Sequence, residues 1–414
     1  MNARSVIERR TDWSVELGNS LDWVWSLPKE RVQCCVTSPP YFGLRAYLPD
    51  DHPDRDLEIG REQTPEEYVD LLVELFRGVR RALTPSGVLW LNLGDSFASD
   101  DKWGGRTGGK HVAGLHGTSV GRAKRQTGLK SKDLIGIPWM VAFALRADGW
   151  YLRQWCPWVC RNKMPESADD RPGSACEMVF LLSKQPDYFF DMEAVRQPSK
   201  QPGISIRMGD KSMSRRSGGT SGNASKDVTE FVNPESRNFR NSDLWFDSMG
   251  MVLSGQLDGT DDDTLLGFDV NVTGDKAAHF AIMPKKLIRP MVLSGTSERG
   301  CCPHCAAPWE RIITKERVAT RPGSDTKTTG DSLTDGNRDP ERHVTRTKTV
   351  GWQPTCSCPT HEPVPCVVMD PFAGSGNVLA VAHENRRRAI GNDLNPDYVA
   401  MARQRVGRVT PNLI

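Results

Sequence analysis

The sequence lacks long apolar runs. No stretch within its 414 residues approaches the roughly 18 consecutive apolar residues of a membrane span. Residues 1–13 are polar and charged, without the apolar segment that directs secretion. We therefore expect a cytoplasmic protein without a membrane partner.

The net charge is also small, and the sequence gives little indication of disulfide bonds. The formal net charge is only +2, so a nucleic-acid surface must come from local clusters of basic residues. The eleven cysteines are an odd number in a chain without a signal sequence, which argues against a disulfide framework. Reduced core thiols and a metal site are the better interpretations. The length itself predicts two or more domain-sized units.

Strand and helix patterns alternate in the first 160 residues. Residues 32–36 form a buried-strand candidate, and residues 88–91 form another after a Pro-Ser-Gly turn. Between them, Thr64 and Glu67 form a capping box around Pro65, which predicts a helix start. This alternation predicts an α/β fold with a mostly parallel sheet.

Three segments lack apolar periodicity: residues 98–130, 197–275 and 314–350. The first is rich in glycine and basic residues. A solvated, disordered loop is one interpretation, and a loop that orders over a phosphate backbone is the one we favour.

A cofactor turn is predicted at residues 370–377, which read Asp-Pro-Phe-Ala-Gly-Ser-Gly-Asn and follow an apolar run. Glycines let a backbone approach a ligand, and the following helix start favours anionic groups. A second strand candidate, residues 388–392, ends at Asp393, which can hold ribose hydroxyls. A dinucleotide motif would need glycine where Leu379 stands, so S-adenosylmethionine fits better than NAD.

A pocket for a planar, amine-bearing base is predicted at Ser38-Pro39-Pro40-Tyr41, directly after the first strand candidate. Ser38 offers a hydroxyl, Pro39 a carbonyl acceptor, and Tyr41 a flat face for stacking. An ordinary Ser-Pro-Pro turn is the alternative. Placement after a buried strand, together with the cofactor turn, favours the pocket.

These motifs, base pocket first and cofactor turn last, resemble the permuted β group of DNA amino-methyltransferases. The resemblance extends to Asn-Leu-Gly-Asp-Ser at 92–96, Gly-Ile-Pro-Trp at 136–139 and Ala-His-Phe-Ala-Ile-Met-Pro at 278–284. It implies a Rossmann-like, S-adenosylmethionine-dependent methyltransferase sheet, circularly permuted, with an inserted target-recognition region. The implied layout is a catalytic half at 1–196, target recognition at 197–275, and a cofactor half at 276–300 and 359–414.

The resemblance also implies site residues. The catalytic set is Ser38, Pro39, Pro40 and Tyr41; the cofactor set is Asp370, Pro371, Phe372, Gly374, Ser375, Gly376, Asn377, Asp393, Phe280, Pro284 and Asn19. Three positions depart from the family pattern. Asn19 stands where Asp is common, Asp393 where Glu is usual, and Asn377 where Thr is common.

The implied reaction is methyl transfer to a base flipped out of double-stranded DNA. Ser-Pro-Pro-Tyr goes more often with cytosine N4, and Asp-Pro-Pro-Tyr with adenine N6, so cytosine N4 is favoured and adenine N6 is the alternative. A catalytically inactive DNA-binding protein is the alternative from another class. Cytosine C5 chemistry would need a cysteine after proline, and the one such pair, Pro365-Cys366, precedes the cofactor strand. A cognate restriction endonuclease is an expected partner, and the oligomeric state is expected to be monomer or homodimer.

Four cysteines flank the insert at residues 301–358. Cys302, Cys305, Cys356 and Cys358 can supply four thiolates to a structural zinc ion. Cys301, His304 and His361 are competing ligands, and reduced surface cysteines are the alternative. Zinc would join the two ends of the insert.

Overall fold

The computed structural model describes residues 2–43, 47–48, 51–98, 127–159, 169–174, 176–198, 205–208, 229–232, 236–237, 283–319, 343–359 and 361–412. The chain divides into two compact units. The first comprises Met1–Ala194, Arg240–Glu310 and Pro354–Ile414, and the second comprises Val195–Phe239 and Arg311–Gln353. Most of the predicted loop 98–130 and of the segment 197–275 lies outside the described residues.

The strands are, in chain order, β1 (Trp13–Leu17), β2 (Val32–Thr37), β3 (Leu83–Leu93), β4 (Tyr151–Val159), β5 (Cys176–Ser183), β6 (Gln197–Pro198), β7 (Ser205–Met208), β8 (Thr229–Val232), β9 (Ser236–Arg237), β10 (Trp309–Ala319), β11 (His343–Pro354), β12 (Val367–Asp370) and β13 (Arg388–Asp393). The helices are α1 (Ala3–Ile7), α2 (Ser20–Ser26), α3 (Pro65–Ala82), α4 (Ile137–Ala147), α5 (Lys285–Gly295), α6 (Asn377–Glu384) and α7 (Pro396–Gly407). Short 3-10 turns span Arg55–Leu57 and Glu193–Val195.

The first unit is built on a seven-stranded sheet in the order β1-β13-β12-β2-β3-β5-β4. Neighbouring strands from β1 to β3 are parallel, whereas β5 is antiparallel to β3 and to β4. Every residue of β2 and of β12 is buried, as expected for strands covered on both faces. The predicted, mostly parallel α/β sheet is confirmed.

The sheet shows the permutation directly. β12 and β13, from the last fifty or so residues, lie between β1 and β2 from the first forty or so. Val368 is paired with Cys34 on one side, and Gly391 with Val15 on the other. Because parallel strands present their carboxyl ends at one edge, the ends of β2 and β12 are brought side by side.

Local sequence signals predicted the helices and strands well, except within β3. Thr64 and Glu67 form the predicted capping box at the start of α3, with Pro65 in the first turn. The predicted turn at residues 85–87 instead lies within β3. The pairing register shifts between Val32 opposite Leu83 and Cys34 opposite Val88, so the turn residues form an irregularity inside a longer strand.

The second unit contains short strand pairs: β6 with β9, β7 with β8, and β10 with β11. The segment 314–350 lacks apolar periodicity in the sequence, and its two ends lie in β10 and β11, which pair with each other. Their β-branched residues, such as Ile312, Ile313 and Val350, favour this conformation although they are exposed. Within the described residues, no helix is long and apolar enough to cross a membrane.

Candidate active site and cysteine cluster

Ser38 and Tyr41 follow the carboxyl end of β2 and join a polar cluster. The Ser38 hydroxyl donates to the Tyr41 hydroxyl oxygen at 3.4 Å, and the Tyr41 hydroxyl donates to Glu177 Oε2 at 2.6 Å. Asn92 Nδ2 lies 2.8 Å from the Tyr41 oxygen, 3.3 Å from Ser38 Oγ and 3.2 Å from Glu177 Oε2. Burial, and then the neighbouring Glu177 charge, raise the pKa of Tyr41 well above its usual value. Tyr41 is therefore protonated at neutral pH and acts as a donor.

Two neighbours fix the Ser-Pro-Pro-Tyr loop. A Cβ at Gly94 would lie 2.4 Å from Tyr41 Cε2, so the ring packs directly on the β3 end. The Tyr68 hydroxyl, on α3, donates to the Pro40 carbonyl at 2.8 Å. Pro39 is buried. The loop therefore has one well-defined position, as a base pocket requires.

Two carboxylates hold the cofactor turn: Asp370 is buried and Asp393 is half-buried. Asp370 Oδ1 accepts from the Thr37 hydroxyl at 2.6 Å and from Phe372 N at 3.0 Å. Asp393 accepts from Gly374 N at 2.8 Å and from Asn395 N at 2.9 Å. Burial raises the pKa of Asp370 to about 7 and that of Asp393 to about 6, and these backbone donors oppose both shifts.

The two glycines of the turn have different surroundings. Gly374 has a φ of +49°, and a Cβ built on it meets no atom within 4 Å, so its open side faces the pocket. Gly376 has a φ of +83°, and a Cβ there would lie 2.8 Å from Ala402 Cα on α7. Gly376 therefore permits close packing of α7 on the turn, and it is not among the pocket-lining residues.

Asn377 and Ser375 line the pocket, but their side chains are also tied within the protein. Arg405, on α7, donates to Ser375 Oγ at 2.7 Å and to Asn377 Oδ1 at 2.5 Å. Asn377 Nδ2 donates to the Met283 carbonyl at 2.9 Å. Asn377 thus joins α6, α7 and the segment before α5.

Asn19, Pro371 and Pro284 do not line the pocket. The Asn19 carboxamide oxygen caps α2 by accepting from Leu21 N at 2.7 Å, which gives its side chain a role other than the implied cofactor contact. Ser20 lines the pocket in its place and donates to the Pro371 carbonyl at 2.7 Å. Pro284 is the N-cap residue of α5 and follows the pocket residue Met283. Phe280 lies outside the described residues.

The base pocket and the cofactor turn open into the same cavity. Ser38 and Pro40 line it together with Asp370, Phe372, Gly374 and Asp393. Its remaining wall includes Tyr47, Leu48, Glu58, Ile59 and Tyr398. Two motifs from opposite ends of the sequence therefore form one site.

Sequence reasoning missed Glu177, Asn92 and Arg405 as site residues. Glu177 is buried at the start of β5, whose following residues are apolar, and a lone carboxylate in such a strand is the signal that could have identified it. Asn92 is a buried amide at the end of β3. Arg405 offers no comparable signal, because an arginine in the last turn of a helix is ordinary.

The predicted cysteine cluster is assembled at the other end of the sheet. The Sγ atoms of Cys302, Cys305, Cys356 and Cys358 all lie within 4.8 Å of one another. A tetrahedral zinc ion with bonds of about 2.3 Å places its sulfurs ~3.8 Å apart, so the four thiols fit. The backbone N–H of His304 points to Cys302 Sγ at 3.4 Å.

The competing ligands lie outside this group. Cys301 is buried, near the Pro365 carbonyl, and His361 Nδ1 is 3.9 Å from Cys302 Sγ but 2.6 Å from the Pro359 carbonyl. Gln33, near the start of β2, attaches the turn that carries Cys302 and Cys305 to the sheet. It donates to the Ala306 carbonyl at 2.7 Å and accepts from Val367 N at 2.6 Å.

Comparison with known proteins shows the family of the chain. The sequence model of the DNA methylase family N6_N4_Mtase matches residues 32–302 and 364–404. The chain belongs to this family. It is a DNA methyltransferase that acts on cytosine N4 or adenine N6.

Relatives and a solved structure are similar over most of their length. Type II methyltransferase M.Cfr9I of Citrobacter freundii is 30% identical over 96% of this chain and 88% of its own. M.SmaI of Serratia marcescens is 29% identical over 95% and 90%. The PvuII DNA methyltransferase (cytosine-N4-specific) superposes with a TM-score of 0.44 and 14% identity, over 98% of this chain and 89% of that one.

The cavity suits S-adenosylmethionine, the methyl donor of the methyltransferase. Open space beside Gly374 lets a ligand approach the backbone, and Asp393 offers carboxylate oxygens for ribose hydroxyls. Phe372, Ile59 and Tyr398 add apolar and aromatic surface for an adenine ring. When bound, the cofactor supplies an electrophilic methyl group on a sulfonium.

Proposed function

We propose that this methyltransferase modifies the exocyclic N4 of cytosine in double-stranded DNA, with the target base flipped into the pocket. The observation that carries the proposal is Ser38. It lines the cavity shared with the cofactor turn, and it occupies the position where the adenine-directed version of the motif has an aspartate. A serine hydroxyl can accept from an amine without adding a charge.

The chemistry relies on positioning. The amine lone pair must point at the methyl carbon, and hydrogen bonds from its N–H groups to Ser38 and to the Pro39 carbonyl would localise that lone pair. Tyr41 does not itself line the cavity; its ring is held against Gly94, and its hydroxyl lies 3.4 Å from Ser38 Oγ, so it positions Ser38. Methyl transfer to an amine needs no cysteine nucleophile, and Cys366 is buried near the Ser297 carbonyl just before β12.

Nucleoside mass spectrometry tests the base assignment. DNA from a host expressing the chain should contain N4-methylcytosine above the level in an empty-vector host. A Ser38→Ala strain is the matched control and should return to background. N6-methyladenine in place of N4-methylcytosine would establish the alternative base instead.

A restriction endonuclease with the same target sequence is the proposed partner. The supporting relatives are named type II methyltransferases. Mapping the modified bases gives the target site, and an endonuclease for that site should fail to cut the modified DNA. Light scattering of the purified chain would decide between the expected monomer and homodimer.

We also propose that Cys302, Cys305, Cys356 and Cys358 bind one structural zinc ion. All four belong to the first unit and close the ends of the 309–354 segment. The cluster lies away from Ser38 along the sheet. Gln33 attaches the cluster near the start of β2, whereas Ser38 follows the end of β2. Metal analysis should find about one zinc per chain. Metal-free protein with unchanged stability would exclude the site.

A further inference from the structure

A hydrogen-bonded path leads from the base pocket to a buried carboxylate. It runs from Ser38 through the Tyr41 hydroxyl to Glu177 Oε2, with separations of 3.4 Å and 2.6 Å. Ser38 lines the cavity, whereas Glu177, on β5, does not. Glu177 is 9% exposed, so the path ends at an acceptor behind the pocket wall.

Methyl transfer to an amine leaves a proton to be removed. The nitrogen lone pair forms the new N–C bond while the carbon–sulfur bond breaks and its electron pair stays on sulfur. The nitrogen then carries a positive charge, and the neutral product forms when one N–H proton leaves. Ser38 can take that proton only by passing its own hydroxyl proton onward.

We propose that Glu177 is a positioning residue that takes up this proton through Tyr41 and Ser38. The amine proton moves to Ser38 Oγ, the serine proton to the Tyr41 oxygen, and the tyrosine proton to Glu177. Ser38 and Tyr41 each receive one proton and release one, and Glu177 becomes a neutral acid that returns its proton to solvent after product release. This proposal rests on the amine methylation proposed above.

The surroundings of Tyr41 set the direction of the path. Asn92 donates to the Tyr41 oxygen at 2.8 Å, which turns the hydroxyl hydrogen toward Glu177. The raised pKa of Tyr41 keeps its proton in place between turnovers. Gly94 lets the ring lie against the end of β3, which holds the hydroxyl oxygen within reach of both Asn92 and Glu177.

Glu177→Gln separates proton uptake from shape. Glutamine keeps an oxygen acceptor for Tyr41 and Asn92 but cannot take the proton. In single-turnover transfer from tritiated S-adenosylmethionine to unmethylated bacterial genomic DNA, we expect the rate to fall about 100-fold or more. The Kd values for cofactor and DNA should be unchanged, and Glu177→Asp should retain more rate than Gln. Glu66→Gln, at an exposed position in the first turn of α3, is the control.

Tyr41→Phe is the second variant, because it keeps the ring and removes the middle of the path. It should lose a similar factor in rate while binding cofactor normally, and it decides the question if the Gln variant does not fold. A rate within about threefold of wild type in either folded variant would overturn the relay. Wild-type protein that methylates no exocyclic amine would instead refute the proposed function.

Discussion

The two ends of strands β2 and β12 carry polar clusters of opposite character. At the carboxyl ends, Ser38 and Asp370 face an open cavity and are held by hydrogen bonds between distant segments. At the amino ends, Gln33 attaches the turn that carries Cys302 and Cys305, whose thiols lie within 4.8 Å of each other and of those of Cys356 and Cys358. One pair of strands thus borders the cavity at one end and the cysteine cluster at the other. Each end should therefore be separable by mutation.

Ser38→Ala gives the largest expected effect and tests the carboxyl end. Loss of one well-placed hydrogen-bonding group in an active site costs about 10²–10³-fold in rate. Transfer should fall by that factor, with the cofactor Kd and the melting temperature unchanged. Ser26→Ala, on the exposed end of α2, is the control. A parallel loss of melting temperature would show that the two ends are not separable in this way.

Cys305→Ser tests the amino end in the opposite sense. A serine hydroxyl is a poor zinc ligand, so zinc content should fall and unfolding should become easier by roughly 2–3 kcal/mol. Cofactor affinity of the folded variant should stay at the wild-type value. Ser357→Ala, between Cys356 and Cys358, is the control and should retain zinc. Normal zinc with lost cofactor binding would reverse the comparison.

The paired variants Gly376→Ala and Gly374→Ala compare the two glycines of the cofactor turn, which follows the carboxyl end of β12. A methyl at Gly376 meets Ala402 Cα at 2.8 Å in left-handed backbone, so we expect the free energy of unfolding to fall by about 2–3 kcal/mol. A methyl at Gly374 enters open space and should cost ~1 kcal/mol of stability, but should weaken cofactor binding. Urea unfolding and calorimetric titration measure the two effects. Equal losses of stability would contradict the assigned roles.

Asp370→Asn should act on the pH dependence of stability. Burial raises the pKa of Asp370 from 3.8 to about 7, so between these values the folded protein retains a proton that the unfolded chain releases. Stability from this group is therefore highest below pH 4 and declines as pH rises toward 7. Asparagine stays neutral, so between pH 5 and pH 8 the variant should lose about 2 kcal/mol less than wild type in urea unfolding. Asp22→Asn, at an exposed position, should leave the profile unchanged.

The sequence was informative where a signal is local. The capping box of α3, the buried strand β2 and both motif loops can be found from neighbouring residues alone. The family resemblance supplied the strand permutation. The contacts of Asn377 with Arg405 and Met283 could not be predicted, because they depend on how three separate segments pack. The contact of Glu177 could not be predicted for the same reason, because β3 separates it from its partner Tyr41 in the sequence.

The hydrogen bond between Thr37 and Asp370 has a consequence for synthesis of the chain on the ribosome. It joins the end of β2 to the end of β12, and β12 and β13 lie between β1 and β2. A nascent chain that has reached β5 contains β1 and β2 but lacks the two strands that lie between them. The parallel part of the sheet can form only after residues 367–393 have been translated. Until then, the edges of the strands in the first half of the chain stay unpaired. A chaperone that binds those strand edges would therefore be needed for longest while the chain is being elongated on the ribosome.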